Sequence, residues 1–177
     1  MVRLEEIKMF AIHAHEGQVR KYTGEPYVEH CFSVADNVFI SMREPTPELV
    51  YSAYLHDTVE DTDVTQEEIQ QKFGDLVAEY VWYLTKPPEF VGNRAKRKEL
   101  DRARLASAPP ELRMVKICDL MHNAPSIREH DKDFWSTWKV EAIQLLEAMD
   151  ASYVWNDLCT AQARDDYANF VTLLTTK

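Results

Sequence analysis

The densest group of reactive side chains in the sequence lies in the segment YLHDTVED, residues 54–61. On a helix, His56 and Glu60 would lie one turn apart, and so would Asp57 and Asp61. One helical face would then present an imidazole and three carboxylates. So much like charge in one place is unfavourable unless a cation compensates it, and a divalent metal ion is the simplest compensation. The segment therefore predicts a metal site.

Two further segments carry groups of the same chemistry. In EPYVEH, His30 lies at the start of an apolar helix, and in VKICDLMHN, Asp119 lies on an otherwise apolar helix face. Burying an unpaired carboxylate is costly, so we expect Asp119 to have a cation or hydrogen-bond donors beside it. Asn123 follows one turn later, where its amide could orient a ligand or the substrate.

Apolar residues at helical spacing predict the elements that must position these groups. A first helix with its apolar face on Leu4, Ile7, Ala11 and Ala14 ends before Gly17. A second helix begins at Tyr27 and bears His30, and a third, from Leu49, carries the His56–Asp57 pair. Further along, the pattern predicts a capped helix between Thr65 and Gly74, an apolar stripe closed by Pro87-Pro88, a basic surface helix at 94–104, a helix opened by Pro109-Pro110 that bears Asp119, and amphipathic segments at roughly 133–149 and 152–175.

No convincing strand pair or internal repeat is visible, so the prediction is an all-α fold, a compact helical bundle formed by one domain over residues 1–177. The tryptophans are expected in the core or at an interface. Trp135 and Trp138 are three residues apart and could form a packing stripe or a dimer surface, so a possible homodimer stays open. The four tryptophans are Trp82, Trp135, Trp138 and Trp155.

The formal net charge of −10 argues against non-specific binding to nucleic acid or to anionic membranes. Any basic pocket for a phosphorylated substrate must therefore be local. We expect neither a signal peptide nor a membrane-spanning helix. Three widely spaced cysteines, Cys31, Cys118 and Cys159, are interpreted as reduced thiols, which favours a cytoplasmic location.

Taken together, His30, the His56–Asp57 pair and Asp119 resemble the H…HD…D pattern of the HD phosphohydrolase superfamily. More closely, the chain resembles the (p)ppGpp hydrolase domain of RelA/SpoT-type proteins and their stand-alone small alarmone hydrolase relatives. The matching segments lie within about residues 8–128 and are HEGQVRK (15–21), GEPY (24–27), HDTVEDT (56–62), FG (73–74), LTK (84–86) and KICD (116–119).

The resemblance implies a compact HD-type helical bundle and a set of site residues. The metal would be held by His30, His56, Asp57 and Asp119. In this family it is usually Mn²⁺, although the ligands also suit other divalent ions. Glu60 and Asp61 would position and activate the attacking water. A guanine nucleotide, ppGpp or pppGpp, would contact Arg20, Lys21, Tyr27 and Asn123, with Arg97 and Lys98 as candidate contacts of the pyrophosphate.

The implied activity is that of a (p)ppGpp 3′-pyrophosphohydrolase, which releases GDP or GTP and pyrophosphate. Two alternatives remain open. An HD-type phosphatase acting on a nucleoside monophosphate or on NADPH would show no requirement for a 3′-phosphate. A non-catalytic metal- or nucleotide-binding module would bind without turnover. The other histidines, among them His15 and His122, are expected to be surface or hydrogen-bonded residues.

Overall fold

The computed structural model describes residues 3–150 and 158–176, and the regular structure in these residues is helical apart from two isolated β-bridges. The predicted all-α fold is therefore confirmed. In chain order the elements are α1 (Leu4–Ala14), α2 (Tyr27–Ser41), α3 (Pro47–Tyr54), α4 (Thr58–Asp61), α5 (Gln66–Phe73), α6 (Asp75–Leu84), a 3₁₀ turn (Glu89–Val91), α7 (Arg94–Ser107), α8 (Pro110–His130), α9 (Lys132–Met149) and α10 (Ala161–Thr175).

Side-chain caps fix several of these boundaries. Thr46 accepts a hydrogen bond from the backbone N–H of Leu49 at the start of α3, and Thr65 accepts one from Glu68 at the start of α5. Gly74 separates α5 from α6 with a φ of +93°, a conformation that L side chains rarely adopt. The predicted boundaries at Thr65 and Gly74 are thus confirmed.

Helix α8 lies at the centre of the fold, because α2, α3 and α9 all pack against it. Its buried apolar residues include Leu112, Val115, Ile117 and Leu120, which lie on more than one side of the helix. A helix surrounded in this way has little access to water, so any charged group on it must find a partner within the protein.

The prediction that the third helix carries the His56–Asp57 pair is wrong. Helix α3 ends at Tyr54, and both residues lie in the turn before α4. Two side chains hydrogen-bond to carbonyl groups of this turn: His56 Nδ1 to Ala53 O at 2.8 Å, and Thr58 Oγ1 to Leu55 O at 2.7 Å. Such side-chain bonds compete with the continuing helical ladder, which explains the break.

The other elements follow the predictions with local differences. The basic helix is α7, and the described part of the 152–175 segment is α10; Trp155 lies outside the described residues. Trp82 is 49% exposed and therefore lies outside the core, so the interface alternative stays a prediction for this residue. Trp135 and Trp138 stack at 5.5 Å against the core, and all three cysteines are buried and free. No helix within the described ranges is long and apolar enough to cross a bilayer.

Candidate metal centre and active site

Two imidazole side chains and two carboxylates lie close together beside α8. His30 comes from the first turn of α2, His56 and Asp57 from the turn after α3, and Asp119 from the middle of α8. His30 Nε2 lies 3.2 Å from Asp119 Oδ1 and 3.6 Å from Asp57 Oδ2. His56 Nε2 lies 3.1 Å from Asp57 Oδ2 and 3.9 Å from Asp119 Oδ1. None of the four residues is more than 6% exposed.

The ring nitrogens that face this cluster, His30 Nε2 and His56 Nε2, have no hydrogen-bond partner within the part of the chain that the structure describes. His56 Nδ1 donates to the Ala53 carbonyl, so Nε2 of a neutral ring carries a lone pair. That lone pair lies 3.1 Å from a carboxylate oxygen of Asp57, an unfavourable pairing unless a proton or a cation compensates it.

The donor set fits a divalent cation. One ligand atom from each of His30, His56 and Asp57 lies within 4.8 Å of the others, and Asp119 adds a second carboxylate beside both rings. Two imidazole nitrogens and two carboxylates form a mixed N/O set that suits several first-row divalent metals. In the absence of a cation, burial lowers the pKa of His56, but Asp57 outweighs it and the pKa rises to about 9.

His122 supports the ring of His30 from behind. The two Nδ1 atoms lie 2.8 Å apart, so one of them must carry the proton. Burial lowers the pKa of His122 to about 4, so its ring is neutral at pH 7 and can accept the Nδ1 hydrogen of His30. This bond would leave His30 Nε2 as the lone pair that faces the cluster, the usual arrangement behind a metal-binding histidine.

Asp119 has the partners that its burial requires. Lys116 Nζ donates to Asp119 Oδ2 at 2.7 Å, and Asn123 Nδ2 donates to Oδ1 at 2.5 Å. Burial alone would raise the pKa of Asp119, but Lys116 and the histidines His30 and His56 hold it well below its usual range. Asp119 is therefore an anion at neutral pH, as the sequence led us to expect of a buried aspartate with a cation beside it.

Three of the predicted substrate-binding residues lie next to this cluster. Tyr27 donates its hydroxyl hydrogen to Asp57 Oδ2 at 2.7 Å. Arg20 donates to Asn123 Oδ1 at 2.5 Å, and its guanidinium carbon lies 5.5 Å from the ring centre of Tyr27. Because Asn123 also binds Asp119, these contacts connect the loop before α2 to the carboxylates of the cluster.

Lys21 lies farther out. Its side chain is 73% exposed and pairs with Asp131 at 3.2 Å. It lines a cavity of about 210 Å³ together with Arg20, Tyr27 and Asn123. The structure thus brings the four predicted contacts of the nucleotide to one small cavity, with Lys21 at its exposed side.

The predicted catalytic pair lies on α4. Glu60 is held by Lys86, which donates from Nζ to Oε1 at 2.7 Å and from its backbone N–H to Oε2 at 3.1 Å. The pKa of Asp61 is raised by burial and by the neighbouring charges of Asp57 and Glu60. A carboxylate whose pKa is raised toward neutrality is better suited to accept a proton in catalysis.

A cavity of about 880 Å³ adjoins these carboxylates. Its lining includes Lys86, Arg94 and the two predicted phosphate contacts, Arg97 and Lys98. Arg97 also donates to the carbonyl of Gly92 at 2.8 Å. Carboxylates line the same cavity, among them Glu60 and Asp61, so its cationic groups are individual contacts for a phosphate and not a uniformly basic wall.

Of the two predicted phosphate contacts, Lys98 also lines a cavity of about 100 Å³ that reaches Asp57 and Asp119. Burial and the nearby Lys116 and Lys86 lower the pKa of Lys98. A cation in such surroundings gains more than an exposed lysine does when an anion binds beside it.

Three residues of the site were not assigned a role from the sequence. Lys86 and Lys116 lie within matching segments but were not singled out, and His122 was expected to be an ordinary histidine. Spacing held a signal for Lys116, which is three residues before Asp119 on the same helix face. No local pattern identifies Lys86, because its partner Glu60 is 26 residues away in sequence.

The HD domain family model matches residues 9–145, most of the chain. Among characterised relatives, a zebrafish (Danio rerio) protein named guanosine-3′,5′-bis(diphosphate) 3′-pyrophosphohydrolase MESH1 is 31% identical over 141 residues, 79% of this chain and 77% of that protein. The bifunctional (p)ppGpp synthase/hydrolase SpoT of Escherichia coli is 33% identical over 125 residues, 68% of this chain but 17% of SpoT.

Solved structures agree with this assignment. The structure of a metazoan ortholog of SpoT matches with a TM-score of 0.77 at 21% identity, over 96% of this chain and 92% of that one. The lmo0812 protein of Listeria monocytogenes matches with a TM-score of 0.67 at 25% identity, over 89% of this chain and 100% of that one. The predicted fold and hydrolase class are confirmed: the chain belongs to the HD domain family of hydrolases.

Proposed function

We propose that this protein is a divalent-metal-dependent (p)ppGpp 3′-pyrophosphohydrolase, which releases GDP or GTP and pyrophosphate. The observation that carries the proposal is the buried cluster of His30, His56, Asp57 and Asp119, which adjoins a cavity of about 880 Å³ whose lining includes lysine and arginine side chains. The relatives named for this reaction support the choice of substrate.

The four cluster residues would hold the metal, with Mn²⁺ as the proposed ion. When bound, the ion supplies Lewis acidity toward a phosphoryl oxygen and makes water more acidic. His122 and Ala53 fix the rings of His30 and His56 so that their Nε2 lone pairs face the cluster, and no reorientation is then needed when the cation binds.

The remaining residues divide the work of binding and proton transfer. Glu60 holds the attacking water, and Asp61 accepts its proton as the water oxygen bonds to the phosphorus that carries the ribose 3′-oxygen. The bond between this phosphorus and the 3′-oxygen breaks, the 3′-oxygen takes up a proton to become the 3′-hydroxyl of GDP or GTP, and pyrophosphate departs with the oxygen of the water. Lys98 and Arg97 offset the negative charge of the pyrophosphoryl group that the water attacks. Arg20, Lys21, Tyr27 and Asn123 hold the nucleoside end at the smaller cavity.

We also propose that one domain over residues 1–177 carries the activity, that it acts on free nucleotides in the cytoplasm, and that it does not act on nucleic acids or at membranes. The net charge of −10 supports this part of the proposal, because an acidic molecule as a whole repels polyanions and anionic membrane surfaces.

The test is to incubate purified protein with ppGpp and Mn²⁺ and to measure GDP and pyrophosphate. We expect both products in equal amounts, with no activity for Asp57→Ala. Asp61→Asn should lower kcat by about 10²–10⁴-fold with metal still bound, because a general base contributes on this scale. Preferential hydrolysis of NADPH or of a nucleoside monophosphate would overturn the proposed substrate. Nucleotide binding without turnover would overturn the proposal that the protein is an enzyme.

A further inference from the structure

We infer that Lys86 is a positioning residue that fixes Glu60, and that the two adjacent carboxylates consequently differ in role, with Glu60 held still and Asp61 free to take the proton. The inference rests on the proposed hydrolase function. It adds a residue that acts through Glu60 rather than on the substrate.

The geometry is that of a clamp on one carboxylate. Both oxygens of Glu60 accept hydrogen bonds from the same residue, one from Nζ at 2.7 Å and one from the backbone N–H of Lys86 at 3.1 Å. Two such bonds define the position and the plane of the carboxylate, and the bond from the lysine ammonium group is charge-assisted. A single lysine contact would leave the carboxylate free to rotate.

The backbone around Lys86 is itself fixed. Helix α6 ends at Leu84, and Thr85 donates its hydroxyl hydrogen back to the Val81 carbonyl at 2.9 Å. Pro87 follows, and a residue before proline is restricted to extended conformations. The N–H of Lys86 therefore points toward Glu60 before any substrate arrives.

Lys86 lies between the metal centre and the substrate cavity. It lines the cavity of about 880 Å³, and it also lines the small cavity that reaches Asp57 and Asp119. Burial lowers the pKa of Lys86, but Glu60, Asp57 and Asp119 outweigh it and raise the pKa above its ordinary value, so the ammonium group keeps its charge.

The surroundings of the Asp61 carboxylate differ from those of Glu60. The backbone carbonyl of Asp61 accepts a hydrogen bond from Gln18 at 2.5 Å, and its carboxylate interacts with the neutral hydroxyl of Tyr27. No lysine or arginine nitrogen lies within 4.0 Å of this carboxylate in the described residues. A carboxylate fixed in an ion pair is a poor proton acceptor, whereas one without a cation partner is a better one. This difference assigns the proton to Asp61 and the positioning of water to Glu60.

The competing possibility is that Lys86 binds a phosphate of the substrate directly, since two of its three ammonium hydrogens are not used by Glu60. A double-mutant cycle separates the two roles. The variants are Lys86→Met, Glu60→Gln and the pair together, with Lys96→Met as the matched control, because Lys96 lies on α7 in an exposed pair with Glu99 at 3.0 Å.

If Lys86 acts through Glu60, Lys86→Met should lower kcat by about 100-fold with little change in KM, the scale on which a misplaced catalytic group costs rate. In the Glu60→Gln background the same change should alter kcat by about twofold or less, because the two residues act as one unit. Lys86→Arg should recover part of kcat, and Lys96→Met should have no effect. A raised KM, or a full effect of Lys86→Met in the Glu60→Gln background, would overturn the inference.

The cycle is run with whichever nucleotide the wild-type protein hydrolyses best, so a failure on ppGpp would count against the proposed substrate alone. A crystal structure of Lys86→Met supplies a readout that needs no turnover. We expect Glu60 to change its side-chain conformation while His56 and Asp57 stay in place. An unmoved Glu60 carboxylate in that variant would refute the positioning role.

Discussion

Replacing Lys116 with methionine would remove the buried cation beside Asp119 while keeping the length of the side chain. Both residues are nearly inaccessible, at 6% and 5% exposure, and Nζ lies 2.7 Å from Oδ2. Removing one member of a buried pair costs about 3–5 kcal/mol, because the other charge is left without compensation. Since His30 and Asn123 still contact Asp119, we expect a loss near the lower end, about 3 kcal/mol.

For a chain of this size each kcal/mol lowers Tm by about 2–4 °C, so metal-free Lys116→Met should melt about 6–12 °C below the wild type. Urea unfolding in EDTA gives the free energy directly. The exposed Lys96→Met control should lose less than about 1 kcal/mol. Added Mn²⁺ should reduce the difference in Tm between Lys116→Met and the wild type, because a metal ion at Asp119 compensates the carboxylate charge that Lys116 compensates in the wild type. A metal-free Lys116→Met variant as stable as the control would refute the reasoning that Asp119 is a buried anion stabilised by Lys116.

The remaining predictions concern the groups that orient the metal ligands. Tyr27→Phe removes the hydrogen bond to Asp57 and should weaken Mn²⁺ binding by about 10-fold or more. His122→Ala leaves the ring of His30 free to turn and should weaken Mn²⁺ binding by about 10–100-fold. Titration calorimetry measures both affinities, and unchanged affinities would contradict these roles. Because the pKa of His56 is about 9 in the metal-free protein, Mn²⁺ must displace its proton, so affinity should rise with pH up to about 9, with proton release seen as a buffer-dependent heat. Because the pKa of His56 in the folded protein lies above its ordinary 6.5, His56 stabilises the metal-free protein fully below pH 6.5 and loses this contribution as the pH rises through 9. Urea unfolding across this pH window should show the free energy of unfolding decline. A free energy of unfolding that does not change with pH would contradict the prediction.

Much of the fold follows from local sequence patterns. The helix boundaries at Thr65 and Gly74 were predictable because capping side chains and glycine act within a few residues. The break after Tyr54 was not, because YLHDTVED has no proline or glycine and reads as continuous helix. The break depends on His56 and Thr58 bonding to carbonyl groups, and their competition with the helix is not encoded in spacing alone.

The candidate site also has residues that the sequence predicts and residues that it does not. His30, His56, Asp57 and Asp119 could be named from their types and their order, and the structure brings them together. The residues that support these ligands could not be predicted, because no local sequence pattern distinguishes a buried lysine or histidine that binds a ligand residue from one at the surface. The contact of Lys86 with Glu60 and that of His122 with His30 depend on helices that pack from distant parts of the chain.

The most direct test of the metal centre is a crystal structure of protein soaked with Mn²⁺, with diffraction data collected at the manganese absorption edge. We expect an anomalous peak within bonding distance of His30 Nε2, His56 Nε2 and the carboxylates of Asp57 and Asp119. Manganese bound elsewhere, with these four side chains in the positions they hold without metal, would contradict the assignment of the HD cluster as the catalytic metal site.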